Sequence, residues 1–504
     1  MNGIMKKAIS LFRRVLLSPG HFLFFSIYFV FRMYDFNIQD VPFRDFVRPL
    51  LISVLVGLVL YLFFGLIVAR RWHAAALMTS TLLFAFYLYG AFWPLIYSTK
   101  IVRQPEVFAA IWGIFFILMI TLIGWKTPKS PNPNILGGVN LMAIILLLYP
   151  MVGSLVYFTA FQFRFPSQTD HTVQGHPIQS SPDMYYIILD GYTRADVLVE
   201  EFGHDNGPFI QSLKDLGFYV AECSQSNYES TPPSLTSSLN LDYVQNMSDT
   251  FRLGEVELMG LFKLLDDNNV QETVSNFGYK TVAFSSGFML AEWRDADMFI
   301  APPYGPITEF ETLLMFSSYM LILDDMEIVN FDDIHAERFR TRTRLVLNSF
   351  DDLVSIPGPK FVFIHLIIPH APFAFDAMGN PIPPDQADPK YGYSDQVKFI
   401  NKSIIPKLEK LIEESPVPPV IILQGDHGPW MPPNYAAQLK ILNAYYLPKG
   451  SEALYPSISP VNSFRVVFNE YFDAGFPLLQ DKSYYSRPFK RYEFTPMPNT
   501  CPRQ

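Results

Sequence analysis

The first third of this sequence contains long intervals without a charged side chain, and they restrict what the chain can fold into. Between Arg48 and Arg70 the sequence is uncharged and rich in Leu, Val and Ile. This interval is long enough to cross the ~30 Å hydrocarbon core of a bilayer as an α-helix. Three further intervals of this kind follow, at 71–100, 106–126 and 129–164. Each of the four predicts a transmembrane helix.

A less regular apolar stretch at 15–31 precedes these intervals. Ser18, Pro19 and Gly20 interrupt it, but a proline near a helix end is tolerated in membranes. We therefore expect a fifth span here. No small-residue cleavage site follows the stretch, which indicates a retained anchor and not a removed signal peptide.

Basic residues predict the orientation of the five spans. One side, predicted to be cytoplasmic, carries Lys6, Lys7, Arg13, Arg14, Arg70, Arg71, Lys126 and Lys129. The bias is modest because the opposite loops carry Arg32, Arg44, Arg48, Lys100 and Arg103. An odd number of spans exports everything after Phe163. We therefore expect this chain to be a multi-pass protein of the plasma (inner) membrane with an extracytoplasmic C-terminal domain.

The composition fits a chain with two physically different parts. Hydrophobic residues make up 50% of the 504 residues and charged residues only 17%, which is unusual for a purely soluble protein. We predict a membrane domain at 1–164, a polar linker at 165–182 and a water-soluble domain at 183–504. A net charge of −9 argues against nucleic acid as a partner. The two cysteines, Cys223 and Cys501, are too few for a disulfide framework or a thiolate zinc site.

Short apolar runs in the C-terminal part predict its fold class. MYYIILDG, GFYVAE, KFVFIHLII and PPVIILQGDHG read as strands, and segments with helical spacing lie between them. Near-continuous apolar strands suit a sheet that helices bury on both faces. We therefore expect an α-helical transmembrane domain followed by an α/β domain with a central, mostly parallel sheet covered by helices.

Acidic and imidazole side chains stand at the ends of two predicted strands. Asp190 ends MYYIILD, and Asp426 and His427 end VIILQGDH. Functional groups collect beyond the carboxyl ends of strands in open α/β sheets, so these three can converge on one cation. Two carboxylates and an imidazole suit Mn²⁺, Zn²⁺ or Mg²⁺. The alternative for each Asp-Gly pair alone is ordinary turn chemistry.

Thr231 precedes two prolines and an apolar helical run, which predicts the N-cap of a helix. In the structural interpretation, Thr231 is only a cap. In the functional interpretation, a hydroxyl at a helix N-terminus beside a divalent cation is easier to ionise and can attack phosphorus. Pro232 and Pro233 remove two free N–H groups there, so metal and side chains must carry more of the charge.

Four blocks occur in the order YIILDGYTRADVL, SNYEST, FIHLIIPHAPF and QGDHGPW. Together they resemble the alkaline phosphatase superfamily, specifically the sulfatase-like domain of lipoteichoic acid synthases and phosphoethanolamine transferases. The resemblance covers about 183–486, and a five-span anchor is also the layout of those transferases. It implies an alkaline-phosphatase/sulfatase-like fold in which Asp190, Asp426 and His427 bind the metal and Thr231 is the nucleophile and a further metal ligand.

The resemblance also bears on the histidines and on the number of metal ions. His370 in PHAPF matches a position that binds a second metal or a substrate phosphate, and we expect it to act in catalysis or substrate binding. His365 is a weaker substrate-binding candidate, because a hydrogen-bonded core histidine suits its apolar strand equally well. No histidine follows His427. One tightly bound ion, Mn or Zn with Mg as the alternative, is therefore favoured over two.

The expected reaction is a two-step transfer of a phospho-alcohol, of the glycerol-phosphate or phosphoethanolamine type. Thr231 attacks a phosphodiester of a membrane lipid, and a glycan or lipid acceptor then takes the group. Arg194 is a candidate phosphate contact, or else lies on a solvated helix start. The alternatives are a membrane-bound hydrolase of phosphate, phosphonate or sulfate esters and a non-catalytic relative. Sulfate ester hydrolysis is disfavoured because the C/S-x-P-x-R motif of the superfamily's sulfatases does not occur.

Overall fold

The computed structural model describes two compact units. The described residues are 7, 10, 13–38, 41, 43–129, 132–164, 181–248, 251, 259–288, 291–302, 307–326, 328–430, 434–449, 451–487 and 490–501. The first unit comprises Met1–Phe163 and Ile307–Phe331, and the second Arg164–Pro306 and Asp332–Gln504. Of the predicted linker at 165–182, only the last two residues are among those described.

The described residues form helices and strands that we number in chain order. The helices are α1 (His21–Phe36), α2 (Phe43–Phe63), α3 (Trp72–Ser98), α4 (Pro105–Lys126), α5 (Pro133–Arg164), α6 (Ala195–Phe202), α7 (Gly207–Asp215), α8 (Thr231–Leu239), α9 (Val244–Met247), α10 (Met259–Asp266), α11 (Asn269–Asn276), α12 (Glu309–Phe316), α13 (Leu321–Asp325), α14 (Phe331–Leu353), α15 (Pro389–Glu414) and α16 (Pro460–Phe472). The strands are β1 (Met184–Leu189), β2 (Tyr219–Val220), β3 (Lys280–Phe284), β4 (Met298–Ile300), β5 (Lys360–Leu366), β6 (Val420–Gln424), β7 (Asn443–Tyr446), β8 (Ser483–Arg487) and β9 (Lys490–Met497).

Four helical segments of the first unit are long and apolar enough to cross a membrane. They are Phe43–Val68, Trp72–Ser98, Pro105–Lys126 and Pro133–Thr159, with 26, 27, 22 and 27 residues. Large apolar side chains on them are widely exposed, for example Leu55 at 61% and Ile117 at 64%. Such a surface requires a lipid environment, because soluble proteins rarely expose contiguous apolar patches of this extent. Four of the five predicted spans are therefore present as candidate membrane helices.

Helix α1 lies where the fifth span was expected, but it is shorter and begins later. It has 16 residues, from His21 to Phe36, whereas a span needs about 20. Asn140 of α5 donates to the carbonyls of Leu16 and Ser18 at 2.9 and 2.8 Å, and Ser154 of α5 donates to Asp35 at 3.2 Å. The fourteen-residue separation of Asn140 and Ser154 corresponds to about 21 Å of helix. The N-terminal segment thus follows α5 over that length.

The second unit contains a seven-stranded sheet in the order β2-β7-β6-β1-β5-β3-β4. The five strands from β6 to β4 are parallel. At one edge β7 pairs antiparallel with β6 and with β2, so β7 runs opposite to the other strands of this sheet. In β1, Ile187 is opposite Ile364 of β5 and Leu423 of β6. One apolar core lies on each face of the sheet. The predicted fold class, apolar helices followed by an α/β domain with a mostly parallel sheet, is confirmed.

Every residue of β1, β5 and β6 is buried, and this explains why these strands read as unbroken apolar runs. The GFYVAE segment also forms a strand, but only Tyr219 and Val220 pair, with β7 at the sheet edge. The helix-spaced segment that begins at Asp395 lies within α15.

Asn462 and Arg465, a polar pair inside α16, belong to a structural network. Arg465 donates from Nε to the carbonyl of Leu241 at 2.8 Å and from Nη1 to that of Pro477 at 2.7 Å. Asn462 donates to the carbonyl of Leu479 at 2.8 Å and accepts from its N–H at 2.8 Å. These bonds fix the chain that follows α16. The pair therefore has a structural role.

Cys223 and Cys501 form a disulfide across 278 residues of sequence. It joins the loop after β2 to the segment after β9, where Asn499 also donates to the carbonyl of Cys223 at 2.8 Å. A cross-link that closes so long a loop restricts the unfolded chain strongly.

We expect replacement of both cysteines by serine to lower the free energy of unfolding of the second unit by about 2–4 kcal/mol. Denaturant unfolding of the full chain in detergent, followed by tryptophan fluorescence, measures this. Treatment of the parent with a reductant is the control and should reproduce the loss. An unchanged midpoint in both experiments would contradict the stabilising role.

Candidate active site

A backbone hydrogen bond at the end of the central sheet positions Asp190. Asp190 directly follows β1, and its N–H donates to the carbonyl of Leu366 in β5 at 2.8 Å. Gly191 then turns the chain with a φ of +73°, a conformation that side chains rarely adopt. Its N–H donates to Asp426 at 3.0 Å. The turn after β1 therefore binds the carboxylate that follows β6.

Asp426 and His427 follow β6, the neighbour of β1 in the sheet. The turn begins at Gly425, where an added Cβ would lie 2.2 Å from the carbonyl oxygen of Tyr192. Only glycine allows the two turns to approach this closely. The backbone carbonyl of Asp426 accepts a hydrogen bond from Ser234 of α8 at 2.6 Å. The two strand ends and the start of α8 are thus held together.

A cluster of buried ligand atoms results. Single ligand atoms of Asp190, His365 and Asp426 all lie within 4.8 Å of one another. His365 Nε2 is 3.1 Å from Asp190 Oδ2. His427 Nε2 is 3.6 Å from Asp190 Oδ1 and 3.5 Å from Asp426 Oδ2. The four residues are at most 6% exposed.

Several buried polar atoms of this cluster have no hydrogen-bond partner among the described residues, as expected at a site for a cation. Asp190 Oδ1, Asp426 Oδ2 and His365 Nδ1 are buried and have no hydrogen-bond partner among the described residues. A buried carboxylate oxygen without a partner costs free energy unless a cation or donor meets it. Two carboxylates and imidazole nitrogens are ordinary ligands of divalent metals. This buried Asp/His/Asp group can therefore hold a metal ion.

The pKa values reflect the close packing of these charges. Burial alone raises the pKa of Asp190, but the hydrogen bond from His365 and the charges of His370 and His427 lower it below its ordinary value. Burial alone lowers the pKa of His427, whereas the carboxylates of Asp426 and Asp190 raise it, and the net shift is upward. Both directions show that negative charge on Asp190 and positive charge on His427 are stabilised by their neighbours.

Thr231 lies against this cluster. Its Oγ1 is 3.2 Å from His427 Nε2, and the residue is 5% exposed. Thr231 is the first residue of α8, and the N-cap is Ser230, which makes no side-chain cap bond. The N-cap prediction for Thr231 is therefore wrong by one position, a common difference at helix ends. Its hydroxyl makes its contact across the site and not with its own helix.

His370 lies at the exposed rim of the cluster. Its N–H donates to the carbonyl of Asp190 at 3.1 Å. Its ring is nearly perpendicular to that of His427, with 6.2 Å between centroids, and Nδ1 is 2.8 Å from the carbonyl of Ala371. This contact fixes Nδ1 as the protonated nitrogen of the neutral ring and leaves Nε2 for another partner.

Arg194 is not brought to the cluster. Two of its nitrogens donate to the carboxylate of Asp196 at 2.7 Å each, and Nη2 also donates to the carbonyl of Thr500 at 2.8 Å. The residue is 4% exposed, so it does not lie on a solvated helix start either. Its contacts hold the C-terminal segment against the start of α6.

Two residues have larger roles in the geometry than the sequence suggested. His365 is as central to the ligand cluster as the two acids. The signal in the sequence that could have indicated this was a histidine near the carboxyl end of a strand, here the strand that pairs with the one before Asp190. Tyr393 of α15 donates to the carbonyl of Gly191 at 2.7 Å and accepts from the N–H of Thr193 at 3.1 Å. Nothing near Tyr393 in the sequence indicates this contact with a turn 200 residues away.

No protein-family model matches this chain, and no curated protein sequence matches it. Solved structures do. The C-terminal periplasmic domain of EcEptC from Escherichia coli is 13% identical, with 65% of this chain and 96% of that chain covered and a TM-score of 0.45. Full-length lipooligosaccharide phosphoethanolamine transferase A (EptA) from Neisseria meningitidis is 11% identical, with 90% and 95% covered and a TM-score of 0.41.

A 2-O GAG sulfatase, BT1596, matches at 12% identity, with 60% of this chain and 72% of that chain covered and a TM-score of 0.36. The chain is thus similar in structure to phosphoethanolamine transferases, one of the groups that its motifs resemble, and to a sulfatase. At these identities and TM-scores, the residues of the site carry the functional proposal and the likenesses do not.

We expect Asp426→Asn to abolish binding of a divalent metal, because the variant loses a buried negative charge while its shape is retained. Elemental analysis of the purified full chain, which should hold about one ion in the parent, measures this. His370→Ala is the matched control and should keep the metal, since His370 lies at the rim. Equal metal content in the parent and Asp426→Asn would place the ion elsewhere.

Proposed function

We propose that this protein is a metal-dependent transferase that moves a phospho-alcohol group from a membrane lipid to a second acceptor through Thr231. One observation carries the proposal. The Thr231 hydroxyl lies 3.2 Å from His427 Nε2, and that nitrogen lies within 3.6 Å of both Asp190 and Asp426. A hydroxyl so placed adjoins a buried site for positive charge.

Asp190, Asp426 and His427 would hold the metal, with Thr231 beside them, and His365 joins this set by position. Mn or Zn fits the mixed oxygen and nitrogen ligands, with Mg as the alternative, and the one cluster supports one tightly bound ion. When bound, a divalent cation lowers the pKa of a neighbouring hydroxyl and neutralises charge on phosphoryl oxygens. Side chains of this protein perform the remaining steps.

His427 has a defined tautomer in the proposed site. Its Nδ1 lies 2.7 Å from the carbonyl oxygen of Gly428, which can only accept a hydrogen bond. The proton of the neutral ring therefore resides on Nδ1, and the Nε2 lone pair faces Thr231 and the carboxylates. This lone pair serves as a ligand or accepts the Thr231 proton. Either role requires the hydrogen bond to Gly428.

The transfer occurs in two displacements. Thr231 Oγ1 forms a bond to phosphorus, and the bond between phosphorus and the lipid alcohol breaks. His370, at the exposed rim, orients the phosphoryl oxygens or, as an imidazolium with protons on both ring nitrogens, gives the proton of Nε2 to the departing alcohol. A hydroxyl of a glycan or lipid acceptor then attacks phosphorus, and the bond between phosphorus and Thr231 Oγ1 breaks. The acceptor gains the phospho-alcohol, and the proton of its hydroxyl replaces the one that Thr231 lost.

The rest of the chain supports a lipid donor and an extracytoplasmic site. The first unit has four candidate membrane helices, which would keep the catalytic domain at 183–504 close to its donor. The disulfide between Cys223 and Cys501 fits an oxidising compartment outside the cytoplasm. We therefore propose a multi-pass protein of the plasma (inner) membrane, with the segment that follows α5 from Leu16 to Asp35 as the fifth span and the catalytic domain outside.

We expect Thr231→Ala to abolish transfer and covalent labelling of the protein by a radiolabelled phospholipid, with a loss of rate on the order of 10³-fold or more. Thr236→Ala is the matched control, because Thr236 is a buried threonine of the same helix whose hydroxyl donates to the carbonyl of Pro232 at 2.7 Å. It should keep both activities. Thr231→Ser should retain part of the labelling.

Labelling that survives in Thr231→Ala would refute the proposed nucleophile. Product analysis of the parent, with and without an added glycan or lipid acceptor, distinguishes transferase from hydrolase. Release of the free phospho-alcohol at the same rate in both conditions would mean that water is the acceptor.

A further inference from the structure

Residues Ile307–Phe331 lie between β4 and α14 in the sequence of the second unit, yet they fold into the first unit with the membrane helices. Within this segment, α12 and α13 are short, with 8 and 5 residues. Neither is long enough to cross a bilayer. The segment therefore lies on the membrane helices without spanning.

An ion pair fixes α12 to α2. Arg48 Nε donates to Glu311 Oε1 at 2.6 Å, and Nη2 donates to Oε2 of the same carboxylate. Glu311 also completes a capping box with Thr308, through Thr308 N–H to Oε2 at 3.0 Å and Glu311 N–H to Thr308 Oγ1 at 3.2 Å. The carboxylate that starts α12 is thus the one that Arg48 holds. A two-bond contact of this kind sets orientation as well as position.

A second contact fixes the turn before α13 to α3 and α4. Tyr319 donates from its N–H to the carbonyl of Phe86 at 2.7 Å and from its hydroxyl to that of Ala109 at 3.2 Å. Ile322 is 4% exposed and packs in one cluster with Tyr89 and Phe108.

The approach of the segment to α3 requires a glycine. A Cβ added at Gly90 would lie 2.5–2.7 Å from three backbone atoms of Ser317. Backbone atoms cannot move aside as a flexible side chain can, so this contact tolerates no larger residue.

The segment contacts one end of the membrane unit. Arg48 lies in the second turn of α2, Ala109 in the second turn of α4, and Phe86 in the C-terminal half of α3. The starts of α2 and α4 and the end of α3 lie on the same side of a membrane, because the intervening chain crosses twice. This is the side opposite Arg70 and Lys126, which the basic residues predict to be cytoplasmic.

We propose that Ile307–Phe331 is a docking segment that binds the outer interface of the lipid bilayer while the membrane helices hold it. Its exposed apolar side chains are Leu313, Phe316, Met326 and Ile328, at 42, 38, 49 and 62%. They belong to a segment that folds with the apolar membrane helices. The neighbouring Trp93 and Trp112 are of the residue type that marks membrane interfaces. A lipid bilayer is the partner that fits this setting, whichever reaction the other unit performs.

The test uses one cysteine at a time in the full-length protein. Cys223 and Cys501 are bonded to each other, so an added cysteine is the free thiol under non-reducing conditions. Met326→Cys receives an environment-sensitive fluorophore, and the protein is placed in vesicles whose lipids carry bromine near the head group. Met378→Cys is the matched control, since Met378 is an exposed methionine of the other unit, at 65%.

We expect brominated lipid to quench the label at Met326 and to leave the label at Met378 unchanged. Equal, unquenched emission at both positions would overturn the proposal. Gly90→Ala should reduce the quenching at Met326, because its Cβ displaces Ser317. Gly113→Ala should not, because its nearest neighbour, the Tyr319 hydroxyl, would lie at an ordinary 3.6 Å. Unchanged quenching in folded Gly90→Ala would show that the segment does not dock through Ser317.

Discussion

Two buried carboxylates at the ends of adjacent strands are the constraint on which the candidate site depends. Asp190 and Asp426 are 4% and 1% exposed, and each leaves an oxygen without a hydrogen-bond partner among the described residues. Two carboxylates that lie this close together and are buried from water repel each other strongly, so the arrangement requires compensating positive charge. A metal ion bound by the carboxylates and the neighbouring imidazoles would supply it, and the geometry of Thr231 has chemical meaning only beside such a charge.

The order of the strands makes this constraint possible. β1 lies between β6 and β5, so the residues that follow β1 and β6, together with His365 near the end of β5, meet at one edge of the sheet. Gly425 and Gly191 let the turns approach, and Tyr393 and Ser234 fasten them from α15 and α8. A substitution far from the metal ligands can thus displace them. The order of the strands therefore assembles the candidate site, and each sequence motif contributes only the residues at the end of one strand.

The sequence predicted the parts that depend on local pattern. The charge-free intervals became four candidate membrane helices, and the apolar runs became β1, β5 and β6, because burial on both faces leaves a continuous apolar signature. Asp190, Asp426, His427 and Thr231 are close together as expected. What the sequence did not indicate depends on distant contacts: the pairing of Cys223 with Cys501, the place of His365 in the ligand cluster, and the hold of Arg194 on the C-terminal segment. One-dimensional spacing carries no information about such partners.

The docking segment gives the chain more than one connection between the two units. The chain passes between the two units three times, after 163, after 306 and after 331. The segment between the second and third passages ends at α14, which leads directly into β5 and His365. A lipid-bound segment is therefore joined through one helix to the strand that carries a member of the ligand cluster.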